Sequence, residues 1–111
     1  MKFFFFHLMP WPYLPADYEG SAWITCPNRF YDPEKGHAVY NRYIDELVSA
    51  ESLGFDGVVV NEHHCNAYGN MPSPNLIASI LARQTSKVRI AVIGNALPLY
   101  NPPTRVAEEF A

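Results

Sequence analysis

Residues 2–8 are almost entirely apolar, and apolar runs return as GVVV at 57–60 and VRIAVI at 88–93. Runs of that length bounded by turn residues mark strands buried on both faces, as in a parallel sheet. Between them the period changes. In HAVYNRYIDELVSAESLG, Tyr40, Tyr43, Ile44, Leu47 and Val48 fall on one helical face, and Gly54 stands where a C-terminal cap belongs. SPNLIASILARQ predicts a second helix, with Ser73 as N-cap, Pro74 at its first position, and Leu76, Ile77, Ile80 and Leu81 turned inward. NPPTRVAEEFA opens a third, with Asn101 as cap, Pro102 in the first turn, Glu108 and Glu109 in solvent, and the chain ending inside it.

The order β-α-β-α-β-α implies parallel strands joined by right-handed crossovers. A doubly wound dinucleotide fold needs a Gly-rich turn after the first strand. Here that turn is MPWPYLP, rich in proline and aromatics. The fold class expected is therefore α/β, with parallel β/α units of a TIM (β/α)8 barrel. A full barrel takes about 250 residues, so residues 1–111 would be only its first three units, an incomplete N-terminal part. The outer strands would lack neighbours, and exposed strand edges predict an oligomer or aggregation. Residues 9–36 read as one long irregular loop carrying Trp11, Tyr13, Tyr18, Trp23, Phe30 and Tyr31. A loop that long is functional or disordered, and its aromatics oppose disorder.

Composition narrows the classes. With 49% apolar residues the chain is globular, and a net charge of −3 without a basic run excludes nucleic acid as a partner. Cys26 and Cys65 stand at unrelated spacing, as two free thiols and not a disulfide framework. The opening MKFFFFHLMPWP breaks at His7 and Pro10 with no cleavage site, so it reads as a strand and not a signal peptide. No segment is long and apolar enough to span a membrane, which makes the cytoplasm the default location.

In parallel α/β folds chemistry sits at the C-terminal ends of the strands. Three segments fall there: His7 with the aromatic loop, NEHHCNAYG at 61–69, and GNALPLYNPP at 94–103. Adjacent His63 and His64 on extended backbone point in opposite directions, so a single metal ion is poorly served and no metal site is expected. Glu62, His63 and His64 are either site residues or hydrogen-bonded loop residues. Cys65 reads as a small packed residue, and no nucleophile elbow occurs.

The block GFDGVVVNEHH, followed by ALPLYNPPTRVAEE and preceded by MKF, resembles the N-terminal part of the bacterial luciferase-like flavin-dependent monooxygenases. The resemblance covers nearly the whole chain outside the loop at 9–36. It implies a TIM barrel that binds FMN at its C-terminal face. Reduced FMN, supplied by a separate flavin reductase, would activate O2 for insertion into a small organic substrate. It assigns proton handling to His63 as the catalytic residue, with Glu62 at the edge of the flavin site and Gly94, Asn95 and Ala96 beside the ring. Small residues there allow close approach of a flat group. The long aromatic loop departs from the family, so Trp11, Tyr13 and Trp23 either line an apolar substrate pocket or pack over the barrel mouth. The strands and loops that would complete the phosphate site lie outside the chain, so residues 1–111 alone are expected to be inactive. Two alternatives follow: an oxidoreductase using the deazaflavin F420 on the same barrel, whose members carry a pattern nearer D-H-F, and a non-catalytic truncated barrel module.

Overall fold

The computed structural model describes residues 1–24 and 26–111 of the chain; position 25, within the aromatic loop, lies outside the described residues. Three strands, β1 (Phe4–Phe6), β2 (Gly57–Asn61) and β3 (Arg89–Ile93), form a parallel sheet in the order β1-β2-β3. Phe4, Gly57 and Arg89 share one register level, and Phe6, Val59 and Ala91 another. The helices α1 (Pro33–Ser52), α2 (Pro74–Gln84) and α3 (Thr104–Glu109) alternate with the strands. This is the parallel α/β arrangement expected.

The core lies on the helix side of the sheet. Val58 and Val60 are fully buried there with Val39, Tyr43 and Leu47 of α1, Ile77 and Leu81 of α2, and Met9 and Met71 from the loops. Helix α1 ends as the sequence predicts. Gly54 takes φ +85°, its N–H donates to the Glu51 carbonyl, and the Phe55 N–H donates to the Ala50 carbonyl. That pair of bonds is the glycine-capped helix end that satisfies the last free carbonyls.

Several expectations are corrected. Strand β1 is not buried on both faces: Phe5 packs against the core, while Phe4 and Phe6, on the other side of the strand, are 39% and 44% exposed. Ile93 of β3 is exposed on that side too. Helix α1 begins at Pro33, so the irregular segment is shorter than 9–36. The Asp32 carboxylate accepts from the Glu34 and Lys35 amides and Pro33 fills the first turn, an N-cap that places the start four residues before His37. The Tyr31 ring lies against Gly36: a Cβ there would stand 2.1 Å from the Tyr31 hydroxyl, so the ring would have to move to admit one. On α2, Leu76 and Ile80 are exposed and the inner face is Pro74, Ile77 and Leu81. Ser73 occupies the cap position, but its side chain makes no capping bond. Pro103, not Asn101, precedes the first residue of α3, the Asn101–Pro102 peptide is cis, and α3 ends at Glu109 with Phe110 as its C-cap. Among the described residues no helix is long and apolar enough to cross a membrane.

Candidate functional site at the upper end of the sheet

The strands end together at what we call the upper end. There the chain leaves β2 as Asn61-Glu62-His63-His64 and leaves β3 as Gly94-Asn95-Ala96. Backbone still near-extended after β2 sends alternate side chains to opposite sides. Asn61 accordingly pairs with His63, Oδ1 to Nδ1 at 2.5 Å, and Glu62 pairs with His64, Oε1 to Nε2 at 2.6 Å. The two imidazoles thus serve different partners. Among the described residues no group of three His, Cys, Asp or Glu side chains is placed to hold a metal ion.

Glu62 joins the two strand ends. Its side chain is 4% exposed, and Oε2 accepts from the backbone N–H of Asn95 at 2.7 Å and of Ala96 at 2.8 Å. Burial alone would raise its pKa. The hydrogen bond from His64 and the amides of Ala96 and Asn95 outweigh burial and hold the carboxyl below its ordinary value. The close fit depends on Gly94. It takes φ +129°, and a Cβ there would stand 2.8 Å from Cβ of Glu62 and 2.9 Å from its nitrogen. Asn95 also has positive φ, +104°, an uncommon conformation for a side-chain-bearing residue. Its Nδ2 donates to Asn75 Oδ1 at 3.0 Å, while its Oδ1 is buried without a hydrogen-bond partner.

The aromatic loop is tied to the segment after His64. Trp11 N–H donates to the Ala67 carbonyl, Cys26 N–H to the Cys65 carbonyl, and the Ala67 and Tyr68 amides both donate to Ala22. A cavity of about 330 Å³ lies between the two segments, lined by Trp11, Phe30, Tyr31, Tyr40, His63 and Cys65 among others. Trp11 is buried and its indole N–H donates to the Phe30 carbonyl. Tyr13 packs on Trp11 with ring centroids 5.2 Å apart, outside the cavity lining. Trp23 leans edge-on against Tyr68 at 4.2 Å and His63 at 5.7 Å, with more than half of its surface exposed. Of the three aromatics singled out in the sequence, Trp11 lines the cavity and Trp23 stands beside His63.

His7 has a different place. Its Nδ1 accepts from the Met9 N–H and its Nε2 meets Glu46 at 2.9 Å, with the ring against Tyr43. Its side chain fastens β1 to α1, while its backbone carbonyl accepts from Asn61 Nδ2 at 2.7 Å. The sequence reading passed over Asn61. The signal was available in its position two residues before His63, which puts both side chains on the same side of an extended chain.

The profile of the luciferase-like monooxygenase family matches residues 21–111. The uncharacterised protein y4vJ of Sinorhizobium fredii is 32% identical over 90 residues, which is 81% of this chain and 25% of the relative. The 3,6-diketocamphane 1,6-monooxygenase of Pseudomonas putida is 32% identical over 59 residues, 53% of this chain and 16% of that protein. A solved type II Baeyer-Villiger monooxygenase, the oxygenating constituent of 3,6-diketocamphane monooxygenase from the same species in complex with FMN, superposes with a TM-score of 0.68 at 21% identity. That match covers 98% of this chain and 24% of the other. The chain therefore spans about a quarter or less of the length of the relatives it matches.

Proposed function

The chain belongs to the luciferase-like monooxygenase family, and from that premise we propose that it supplies the first three β/α units of a (β/α)8 barrel monooxygenase. The whole enzyme acts in the cytoplasm on an apolar organic substrate, with O2 and with reduced FMN delivered by a separate reductase. The kinship with monooxygenases, and the FMN in the similar solved structure, support FMN over F420. Bound here, reduced FMN supplies the electrons that activate O2.

The residues at the rim fit a flavin. Asn95 Oδ1 is a buried acceptor with no partner, the complement of a ring N–H. The bare sheet face offers Phe6 and Ile93 as apolar surface for a flat ring, with further barrel units closing over the rest of it. Glu62 holds the Gly94-Asn95-Ala96 turn in shape, and His63 handles the proton beside the cavity. Trp11 walls the cavity against water, Trp23 shields the His63 ring, and Tyr13 backs Trp11. The phosphate is held by barrel loops beyond these units. The observation that carries the reading is the Glu62 bridge, which brings the E-H-H segment and the end of β3 to one rim.

The test is a titration of the chain with oxidised and reduced FMN, followed by flavin absorbance and fluorescence. Saturable binding in the millimolar range, weakened by His63→Ala and by Asn95→Leu, is expected. Absence of saturable binding, or binding that neither variant changes, contradicts the reading. A clear preference for F420 would transfer it to hydride chemistry.

A further inference from the structure

We propose that Asn61 is the positioning residue of this site: its amide fixes His63 as the Nδ1–H tautomer and leaves Nε2 as the atom where protons enter and leave. The inference rests on the reading of His63 as the proton-handling group and adds a role for Asn61.

The hydrogen bonds determine the polarity of the pair. Asn61 is 3% exposed, so its amide must find its partners within the protein. One end meets the backbone carbonyl of His7 at 2.7 Å. A carbonyl only accepts, so that end is Nδ2. The other end is then the oxygen, 2.5 Å from His63 Nδ1. An amide oxygen also only accepts, so Nδ1 carries the hydrogen. A neutral imidazole has one N–H, and its second nitrogen keeps a lone pair. Proton uptake therefore takes place at Nε2 and leaves the Nδ1–H bond to Asn61 intact.

The ring is also held in place. The His63 N–H donates to the Met71 carbonyl at 3.0 Å, Tyr68 packs at 5.4 Å and Trp23 at 5.7 Å. Gly69 leaves the room for this: a Cβ there would come within 3.0 Å of His63 Cβ and Cγ. Among the described residues no hydrogen bond engages His63 Nε2, and His63 lines the cavity. His7 shows the opposite arrangement. Its Nδ1 accepts from Met9, its Nε2 is committed to Glu46, and both ring nitrogens are spent on structure. The second-neighbour carbonyl or amide that sets a tautomer is a general device for histidines that exchange protons or bind metals.

The test is imidazole ¹⁵N NMR on the chain without flavin, at a pH well above the ordinary imidazole pKa. Asn61→Leu and Asn61→Asp are compared with the parent. Both lose the donor to the His7 carbonyl, but Asp keeps an acceptor for Nδ1–H and Leu does not. The inference expects the Nδ1–H tautomer in the parent and in Asn61→Asp, and a shift toward Nε2–H in Asn61→Leu. Were the parent Nε2–H, or were the two variants alike, Asn61 would be only a tie between β1 and β2. Should Asn61→Leu fail to fold, the parent and Asn61→Asp spectra still decide: an Nε2–H signal in either overturns the inference. Because no flavin is present, a lost tautomer lock and a lost FMN site are seen separately.

Discussion

At the lower end of the sheet, where the strands begin, the Glu51 carboxylate accepts from the backbone N–H of Ser86, Lys87 and Val88. Asp56 accepts there from the Phe3 amide and the Lys2 ammonium. At the upper end Glu62 does the same for Asn95 and Ala96. In each case a carboxylate gathers the backbone donors that a short turn leaves unpaired. The difference is in what remains. Both buried orphan atoms among the described residues, Asn70 Nδ2 and Asn95 Oδ1, belong to the upper end. So do two consecutive positive-φ residues, Gly94 and Asn95, and an imidazole with an uncommitted nitrogen. At the lower end Gly54 takes positive φ in open space, as part of a helix cap. Carboxylate-to-amide stitching is thus chemistry of the fold. Unspent polar atoms and strained backbone beside it are the marks of a site.

Variants at the two ends can break that comparison. The largest effect is expected at Glu62. Glu62→Ala removes a side chain that is itself nearly buried and takes the acceptor from the half-buried Asn95 amide and the exposed Ala96 amide, a cost of about 2 kcal/mol. Glu51→Ala should cost less, because the amides of Ser86 and Lys87 lie in exposed residues and can bind water. Urea denaturation of both variants ranks them, and a larger loss for Glu51→Ala would reverse the comparison.

Glycine replacements sharpen it at smaller scale. Gly94→Ala forces a side chain onto φ +129° and into the Glu62 backbone, at about 2 kcal/mol. Gly54→Ala meets nothing within 4 Å and carries only the conformational cost of φ +85°, about 1 kcal/mol. Equal losses would show that the close approach to Glu62 carries no energy.

The smallest effect is in pH dependence. For Glu62, burial raises the pKa and is outweighed by the bonds from His64, Ala96 and Asn95. For Glu51 the amides of Lys87, Val88 and Ser86 lower it. A carboxyl held below its unfolded value binds fewer protons in the folded state. Its contribution is therefore fully present above the ordinary glutamate value of about 4.3 and is lost as pH falls through the folded value. Denaturation at a series of acidic pH values should show stability falling below that point, with a shallower slope in Glu62→Gln. An unchanged slope would mean that Glu62 titrates alike in the folded and unfolded chains.

Much of this was legible in the sequence, for reasons that differ by element. Val58 and Val60 announce a buried strand because an unbroken branched run has few other uses, and Gly54 announces a helix end because few other residues take its φ. The run of phenylalanines in β1 could not say that its second face lies bare, since periodicity records apolarity and not what covers it. Leu76 and Ile80 share the apolar spacing of Ile77 and Leu81, and only packing separates the inner pair from the outer. The start of α1 was written in Asp32-Pro33 and was hidden by the loop residues before it. His63 could be read from the E-H-H run. Its partner Asn61 became visible only when strand parity and the His7 carbonyl were both in place. The approach of Cys26 to Cys65 joins segments far apart in the chain, which no spacing rule reports.

The central claim is that the upper end of the sheet faces the flavin while the lower end is structural. The most direct measurement follows backbone amide NMR shifts of the ¹⁵N-labelled chain as FMN is added, oxidised and then reduced under anaerobic conditions. The account predicts saturable shifts concentrated at residues 61–64 and 94–96 and around Trp23, with Ser86, Lys87 and Val88 unmoved. Shifts centred on the lower end, or spread evenly over the exposed sheet face with none at 94–96, would contradict it.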